Sequence, residues 1–214
     1  VNRSINKNLA QSVSKIFLEV IIAPSITRES QKILSKKKNL RIIIIKKLKT
    51  KNQNMIQIKT VIGGVLLQTK DNSFLKKKNL KIVTKRKPNI KELNDLLFAW
   101  KVAKHTMSNA IIFAKNTSTT GIGAGQMSRI DSAYIAKLKS KKSSEIAKIK
   151  NMTIGSVVAS DAFFPFPDAL ISISEAGATA VIQPGGSIRD EKIIEEANNR
   201  NIAMVFTNVR NFKH

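Results

Sequence analysis

The final third of this 214-residue chain alternates short apolar runs with amphipathic runs of helical spacing, and that rhythm constrains the fold more than any other feature. SVVAS from Ser156, AVIQP from Ala180 and AMVFT from Ala203 are apolar almost throughout, as strands buried on both faces are. Between them, the stretch from Asp168 to Ala176 and the stretch from Asp190 to Asn199 each suit a helix. Strands separated by helices of about ten residues imply a parallel sheet under helical cover, an α/β class.

Upstream, helices are predicted over residues 5–18 and 26–36, and strands over VIIAP from Val20 and NLRIIIIK from Asn39, the latter as a buried strand. Residues 46–54 read as a basic surface loop, followed by two strands, MIQIKTV from Met55 and GGVLLQTK from Gly63. A second basic loop ends at Pro88, where the composition changes, so two lobes are expected, 1–88 and 89–214. From Asn89 a helix carries Leu93, Leu96, Leu97 and Trp100 on its apolar face, with the Trp in the core. AIIFAK from Ala110 and TGIGAG from Thr120 read as strands, and the run from Ser128 as one long helix or two.

With 42% hydrophobic and 24% charged residues, the chain reads as globular and ordered. Its longest apolar runs, such as IIII at Ile42 to Ile45, fall far short of the roughly 20 residues that span a bilayer. No membrane association and a cytoplasmic location are the expectations. The absence of Cys excludes disulfides and thiolate chemistry, and His105 and His214 alone make a poor basis for a metal site.

The net charge of +24 ordinarily points to nucleic acid. Its distribution argues otherwise. Residues 1–107 hold 25 Lys and Arg against 5 Asp and Glu, whereas residues 108–214 hold 13 against 9. The excess accompanies abundant Ile and Asn, whose codons share the AT richness of Lys codons, so compositional drift explains it better than a nucleic-acid footprint. A single Tyr and a single Trp leave little for base stacking.

Four segments carry chemistry. In Ser108 to Ala133, SNAIIFAKNTSTTGIGAGQMSRIDSA, a strand leads through a glycine-rich turn into a helix. Gly121, Gly123 and Gly125 either open the backbone to an anion or form a tightly packed turn; the GxGxGQ spacing departs from the dinucleotide fingerprint. GSVVASDAFFPFPDAL brings Asp161, Phe163, Phe166 and Asp168 to a strand's carboxyl end, suited either to gripping a flat heterocycle or to a capped hydrophobic corner. IQPGGSIRDE again runs from a strand through glycines into a helix, and the tail FTNVRNFKH contributes Arg210.

Together SNAI, GIGAGQMSR, GSVVASDAFFPF, AVIQPGGSIRD and AMVFTNVRNFKH, with VNRSINKNLAQSVSKIFLEVIIAP and VTKRKPNIKELNDLLFAWKVAKHTMSNAI ahead of them, resemble the closing part of the bifunctional enzyme family that joins AICAR transformylase to IMP cyclohydrolase. The resemblance covers essentially the whole chain. It implies a cytidine deaminase-like layered sheet with helices and without zinc, the HxE and PCxxC ligands of deaminases being missing from the sequence. It also implies formyl transfer from formyl-tetrahydrofolate, the co-substrate, to AICAR nucleotide in purine biosynthesis, by a homodimer with sites at its interface. By the same resemblance Asn109, Arg129, Phe163 and Arg210 match nucleotide contacts, and Ile130, Asp168, Ser187 and Ile188 match folate contacts.

The family's catalytic Lys and His belong to a segment upstream of this one, as does the cyclohydrolase half. The resemblance therefore implies part of a longer protein that is inactive alone, with no catalytic residue of its own. Lys104 and His105 stand in a structural WKVAKH segment, and Pro167 occupies a position where the family has Arg. The alternative class is a non-catalytic nucleotide-binding remnant or a basic RNA-associated protein.

Overall fold

The computed structural model describes residues 1–46, 56–69, 75–211 and 213. The chain forms two compact units, Val1–Asn72 and Ser73–His214. The predicted loop over residues 46–54 lies almost wholly outside the described residues, as does His214.

In the first unit, α1 (Lys7–Ser14) starts at Asn6, whose side chain accepts a 2.9 Å hydrogen bond from the Leu9 amide. Strand β1 (Val20–Ala23), helix α2 (Arg28–Leu34) and strand β2 (Arg41–Ile44) make a parallel two-stranded sheet with one crossover helix. Ile5, Ala10, Val13, Ile21, Ala23 and Leu34 form a small core. Strand β2 is not the buried strand that its isoleucines predict: Arg41, Ile43 and Ile44 are exposed and Ile42 is half-buried. A sheet of two strands leaves β2 as an edge, and four consecutive isoleucines carry no alternation from which an outward face can be read.

Strands β3 (Ile56–Val61) and β4 (Gly64–Thr69) pair as an antiparallel hairpin. Its register places Ile56, Ile58, Val65 and Leu67 on one face.

The second unit is built on a mixed six-stranded sheet in the order β5-β10-β9-β8-β6-β7. Its strands are β5 (Lys81–Ile82), β6 (Ile111–Lys115), β7 (Ser118–Gly123), β8 (Ser156–Ser160), β9 (Ala178–Gln183) and β10 (Ala203–Phe206). The three strands read from the final third, β8, β9 and β10, are parallel neighbours. The purely parallel sheet that they suggest is incomplete, because β6 and β5 join antiparallel at either side.

Alternation along the strands builds two buried faces. Ile112, Ala114, Val157, Ala159, Ala180, Ile182, Ala203 and Val205 face α3 (Ile90–Ala103), which contributes Leu96, Ala99, Trp100 and Ala103. Alanines on the sheet side make room for the indole. The intervening Ile111, Phe113, Val158, Val181 and Met204 pack under α4 (Arg129–Ala147), α5 (Asp168–Glu175) and α6 (Asp190–Asn199).

The contact boundary at Asn72 and Ser73 lies ahead of the compositional boundary at Pro88. Strand β5 pairs with β10, the Val83 amide donates to the Met204 carbonyl, and the Met204 amide donates to Thr84 Oγ1. Arg86 then makes a two-pronged ion pair with Glu92, at 2.8 and 3.0 Å, and also donates to the carbonyls of Thr179 and Asn201. Basic composition marks this segment as loop, yet its backbone completes the sheet.

At the far end of β6, Asn116 and Thr117 turn the chain with φ of 53° and 52°. The buried Asp95 carboxylate accepts both of their amides, at 3.0 and 2.6 Å. No helix among the described residues is long and apolar enough to cross a membrane.

Candidate functional site

Strands β7, β8, β9 and β10 run in one direction and β6 in the other, so four loops that leave strands and the one that enters β6 meet at a single rim. All four motif segments lie there, at the carboxyl ends of parallel strands where open α/β sheets place ligands. Backbone hydrogen bonds stitch the loops together. Gly125 donates to Met107, Asp161 to Ala110, Asn211 to Asp161, Ser108 to Lys213 and Asn208 to Pro184.

The glycines of GIGAG do not open the backbone to an anion as a group. Gly121 and Gly123 belong to β7, and α4 lies directly on them: a Cβ at Gly123 would sit 1.8 Å from the Ser132 carbonyl oxygen, and one at Gly121 2.1 Å from that of Ala136. Only Gly125 occupies the turn, with φ of 69°. The tightly packed reading holds at this segment. Its effect on the site is indirect, since the close approach of α4 sets the position of Arg129 at the helix start.

Arg129 is held by two side chains. Its Nε donates to Ser160 Oγ at 3.1 Å and its Nη2 to Asp161 Oδ1 at 3.3 Å. The side chains are 10% and 0% exposed, and Asp161 Oδ2 is buried without a hydrogen-bond partner among the described residues. A buried carboxylate of this kind is tolerated because the guanidinium faces it, and removing either partner would leave a costly lone charge. Asn109 is held by its own amide group, which donates to the carbonyls of Gln126 and Met127 at 2.9 and 3.2 Å.

Phe163 and Arg210 meet directly, the guanidinium carbon 4.6 Å from the ring centroid. Beside them a shallow cavity of about 230 Å³ is lined by Pro184, Gly185, Gly186, Asn208 and Arg210. The Gly185 position admits no side chain, because a Cβ there would fall 2.4 Å from the Phe206 ring. Gln183, fully buried, accepts from the Phe164 amide through Oε1 and donates to Met204 Sδ through Nε2, which ties the aromatic loop to β9 and β10.

Of the other four expected residues, Ile130, in the first turn of α4, is half-buried against the core, and Asp168 is exposed at the start of α5, its carboxylate accepting the Ala169 amide. Ser187 Oγ accepts the Arg189 amide, and Ile188 stands fully in solvent. The eight residues thus share one rim, but the structure links them as separate groups rather than as one contact network. Sequence reasoning missed Ser160, Gln183 and Arg189. Gln183 lies in a run that reads as plain strand, and Arg189 stands out only by its stacking on Phe166, with the guanidinium carbon 4.3 Å from that centroid. His105 is exposed just beyond α3, and its carbonyl accepts from Lys213 Nζ. Among the described residues no group of three or more His, Cys, Asp or Glu is arranged to hold a metal.

The comparisons decide the family. The family model for the AICARFT/IMPCHase bienzyme matches residues 1–139. The chain belongs to that family. Among curated relatives, the bifunctional purine biosynthesis protein PurH of Chelativorans sp. (strain BNC1) is 51% identical over 214 residues, all of this chain and 40% of the relative. The PurH proteins of Bartonella henselae and Sinorhizobium fredii are 51% and 49% identical over 215 residues, with the same coverage. The chain thus spans about 40% of the length of the relatives it matches, and the match runs along the whole of this chain.

Proposed function

We propose that this chain is the C-terminal part of the transformylase half of a purine-biosynthesis bienzyme, and that its loop rim supplies parts of the AICAR nucleotide and formyl-tetrahydrofolate sites. The observation that carries this reading is the convergence of Asn109, Arg129, Phe163 and Arg210 at one sheet edge, with both guanidinium groups already oriented by the protein. An anionic nucleotide calls for guanidinium forks, and an aminoimidazole ring calls for an aromatic face. Arg129 spends Nε and one Nη2 hydrogen on Ser160 and Asp161, and among the described residues Arg210 is held by its face alone, so each retains N–H donors for a phosphate. Ile130, Asp168, Ser187 and Ile188, on the same rim, form the folate side.

In the transfer, the exocyclic amine nitrogen attacks the formyl carbon and the carbonyl becomes a tetrahedral oxyanion. Collapse breaks the bond to the folate nitrogen, which takes up a proton while the amine loses one. The step requires an oxyanion donor and a base. In this reading the upstream Lys and His of the family provide them, this chain binds and orients the reactants, and it is inactive alone. The reading also includes a cytidine deaminase-like fold, a homodimer with shared sites and a cytoplasmic location.

The test is equilibrium titration of the chain with each ligand, together with a formyl-transfer assay before and after mixing with the upstream half of a relative. Binding alone and transfer only on mixing are expected. Arg210→Ala, an exposed substitution, should weaken AICAR nucleotide binding about tenfold through loss of a charge-assisted contact. Turnover by the unmixed chain, or nucleotide affinity indifferent to Arg210, would overturn the assignment.

A further inference from the structure

Of the five methionines, Met204 is fully buried, Met152 is half-buried ahead of β8, and Met55 lies outside the described residues. The other two flank the turn from β7 into α4, Met107 at 47% exposure and Met127 at 97%. An apolar side chain just ahead of a helix cap ordinarily packs against the fourth residue of the helix. Here that position holds Ser132, a buried hydroxyl that donates to the Asn109 carbonyl at 2.9 Å, so the Met127 side chain has no packing role.

The backbone of the same residue is engaged at the proposed nucleotide site. The Met127 carbonyl accepts Asn109 Nδ2 at 3.2 Å, and the Gln126 carbonyl accepts the same group at 2.9 Å. Ser128 caps α4 by accepting the Asp131 amide at 3.1 Å, and Arg129 follows. Residues 126–129 thus hold or supply two of the proposed nucleotide contacts, and of these four residues Met127 alone is exposed. The bond that it accepts from Asn109 also faces solvent.

We infer that Met127 is a reversible oxidation site that lowers the affinity of this chain for its nucleotide. The inference rests on the nucleotide reading of this rim given above. The thioether sulfur attacks one oxygen of hydrogen peroxide, the O–O bond breaks, and the other oxygen leaves as water after taking up the proton of the first. Sulfur loses two electrons and the peroxide gains two. The sulfoxide oxygen is a strong acceptor where the thioether is a weak one. Carried by the residue whose carbonyl shares Asn109 Nδ2, it competes for that solvent-facing hydrogen, and Asn109 loses one of the two bonds that fix its amide. A methionine sulfoxide reductase, drawing two electrons from a dithiol, restores the thioether.

The experiment treats the full chain with graded hydrogen peroxide, locates sulfoxides by peptide mass mapping, and titrates AICAR nucleotide on the same samples. Met127 should oxidise ahead of Met107, and Met204 should stay unmodified. Nucleotide affinity should fall about fivefold, the scale of one hydrogen bond, and return after treatment with reductases for both sulfoxide epimers. Met127→Leu keeps an apolar side chain without sulfur; it should bind like the untreated parent and be indifferent to peroxide. Saturating nucleotide should slow oxidation of Met127 and leave that of Met152, at the opposite end of the sheet, unaltered.

Unchanged affinity with Met127 fully oxidised would overturn the inference and leave the nucleotide reading intact. An equal loss in peroxide-treated Met127→Leu would assign the effect to another residue and overturn it as well. A parent chain without nucleotide affinity would remove the nucleotide reading and this inference with it.

Discussion

Glu92 occupies a position where burial alone would favour the neutral acid. Hydrogen bonds from Arg86, Thr179 and the Asn89 amide, together with the Arg86 charge, outweigh that desolvation and hold its carboxyl below the ordinary value of 4.5. A carboxylate whose folded pKa is depressed contributes stability above its unfolded value, and that contribution is lost as pH falls through the folded value. Glu92→Gln should therefore cost about 1–3 kcal/mol at neutral pH. The gap between variant and parent should close as pH drops below 4.5, which urea unfolding across that range would measure. A constant gap down to strong acid would mean that the Glu92 charge is not what holds the 84–92 segment to the sheet.

At the scale of elements, the contact between β7 and α4 is set by what Gly121 and Gly123 lack. Gly123→Ala would drive a methyl group into the Ser132 carbonyl, an obstacle of backbone that no rotamer change relieves. The expected loss is at least about 3 kcal/mol, read as a lower midpoint in thermal unfolding. Because α4 begins at Arg129, ligand affinity should fall with it.

The same contact explains what sequence can and cannot disclose. Strands β8, β9 and β10 and helices α3, α5 and α6 were legible because apolar runs and helical spacing are local properties. Asn109, Arg129, Phe163 and Arg210, the residues proposed for the site, were legible only as members of distinctive strings. The structural use of Gly121 and Gly123 was not, because a strand glycine under a helix and a turn glycine around an anion look alike until the helix is placed. Strand β5 was hidden for a related reason: two residues among lysines have no periodicity, and only their pairing with β10 defines them. Nor could spacing disclose that Phe166 would find Arg189 on a different loop.

For the molecule as a whole, the two units contrast in how they are buried. The second encloses its sheet between helices on both faces. The first presents the β3–β4 hairpin with Ile56, Ile58, Val65 and Leu67 each between 57% and 68% exposed on one face. A lone hairpin is marginal in water, and an apolar face beside free strand edges favours association. Replacing Ile58 and Leu67 together by Thr should raise soluble yield and reduce light scattering, while leaving the unfolding midpoint of the second unit unchanged. A parent chain that is already monodisperse at high concentration would contradict this.

The left-handed turn at Asn116 and Thr117, pinned by Asp95, lies at the opposite end of its sheet from all eight candidate ligand residues. It is therefore the natural attachment point for a spectroscopic label or an immobilising tether. A dye placed there would report on binding from behind the sheet without entering the ligand's path, and a chain anchored through that turn would turn the loop rim of this unit outward.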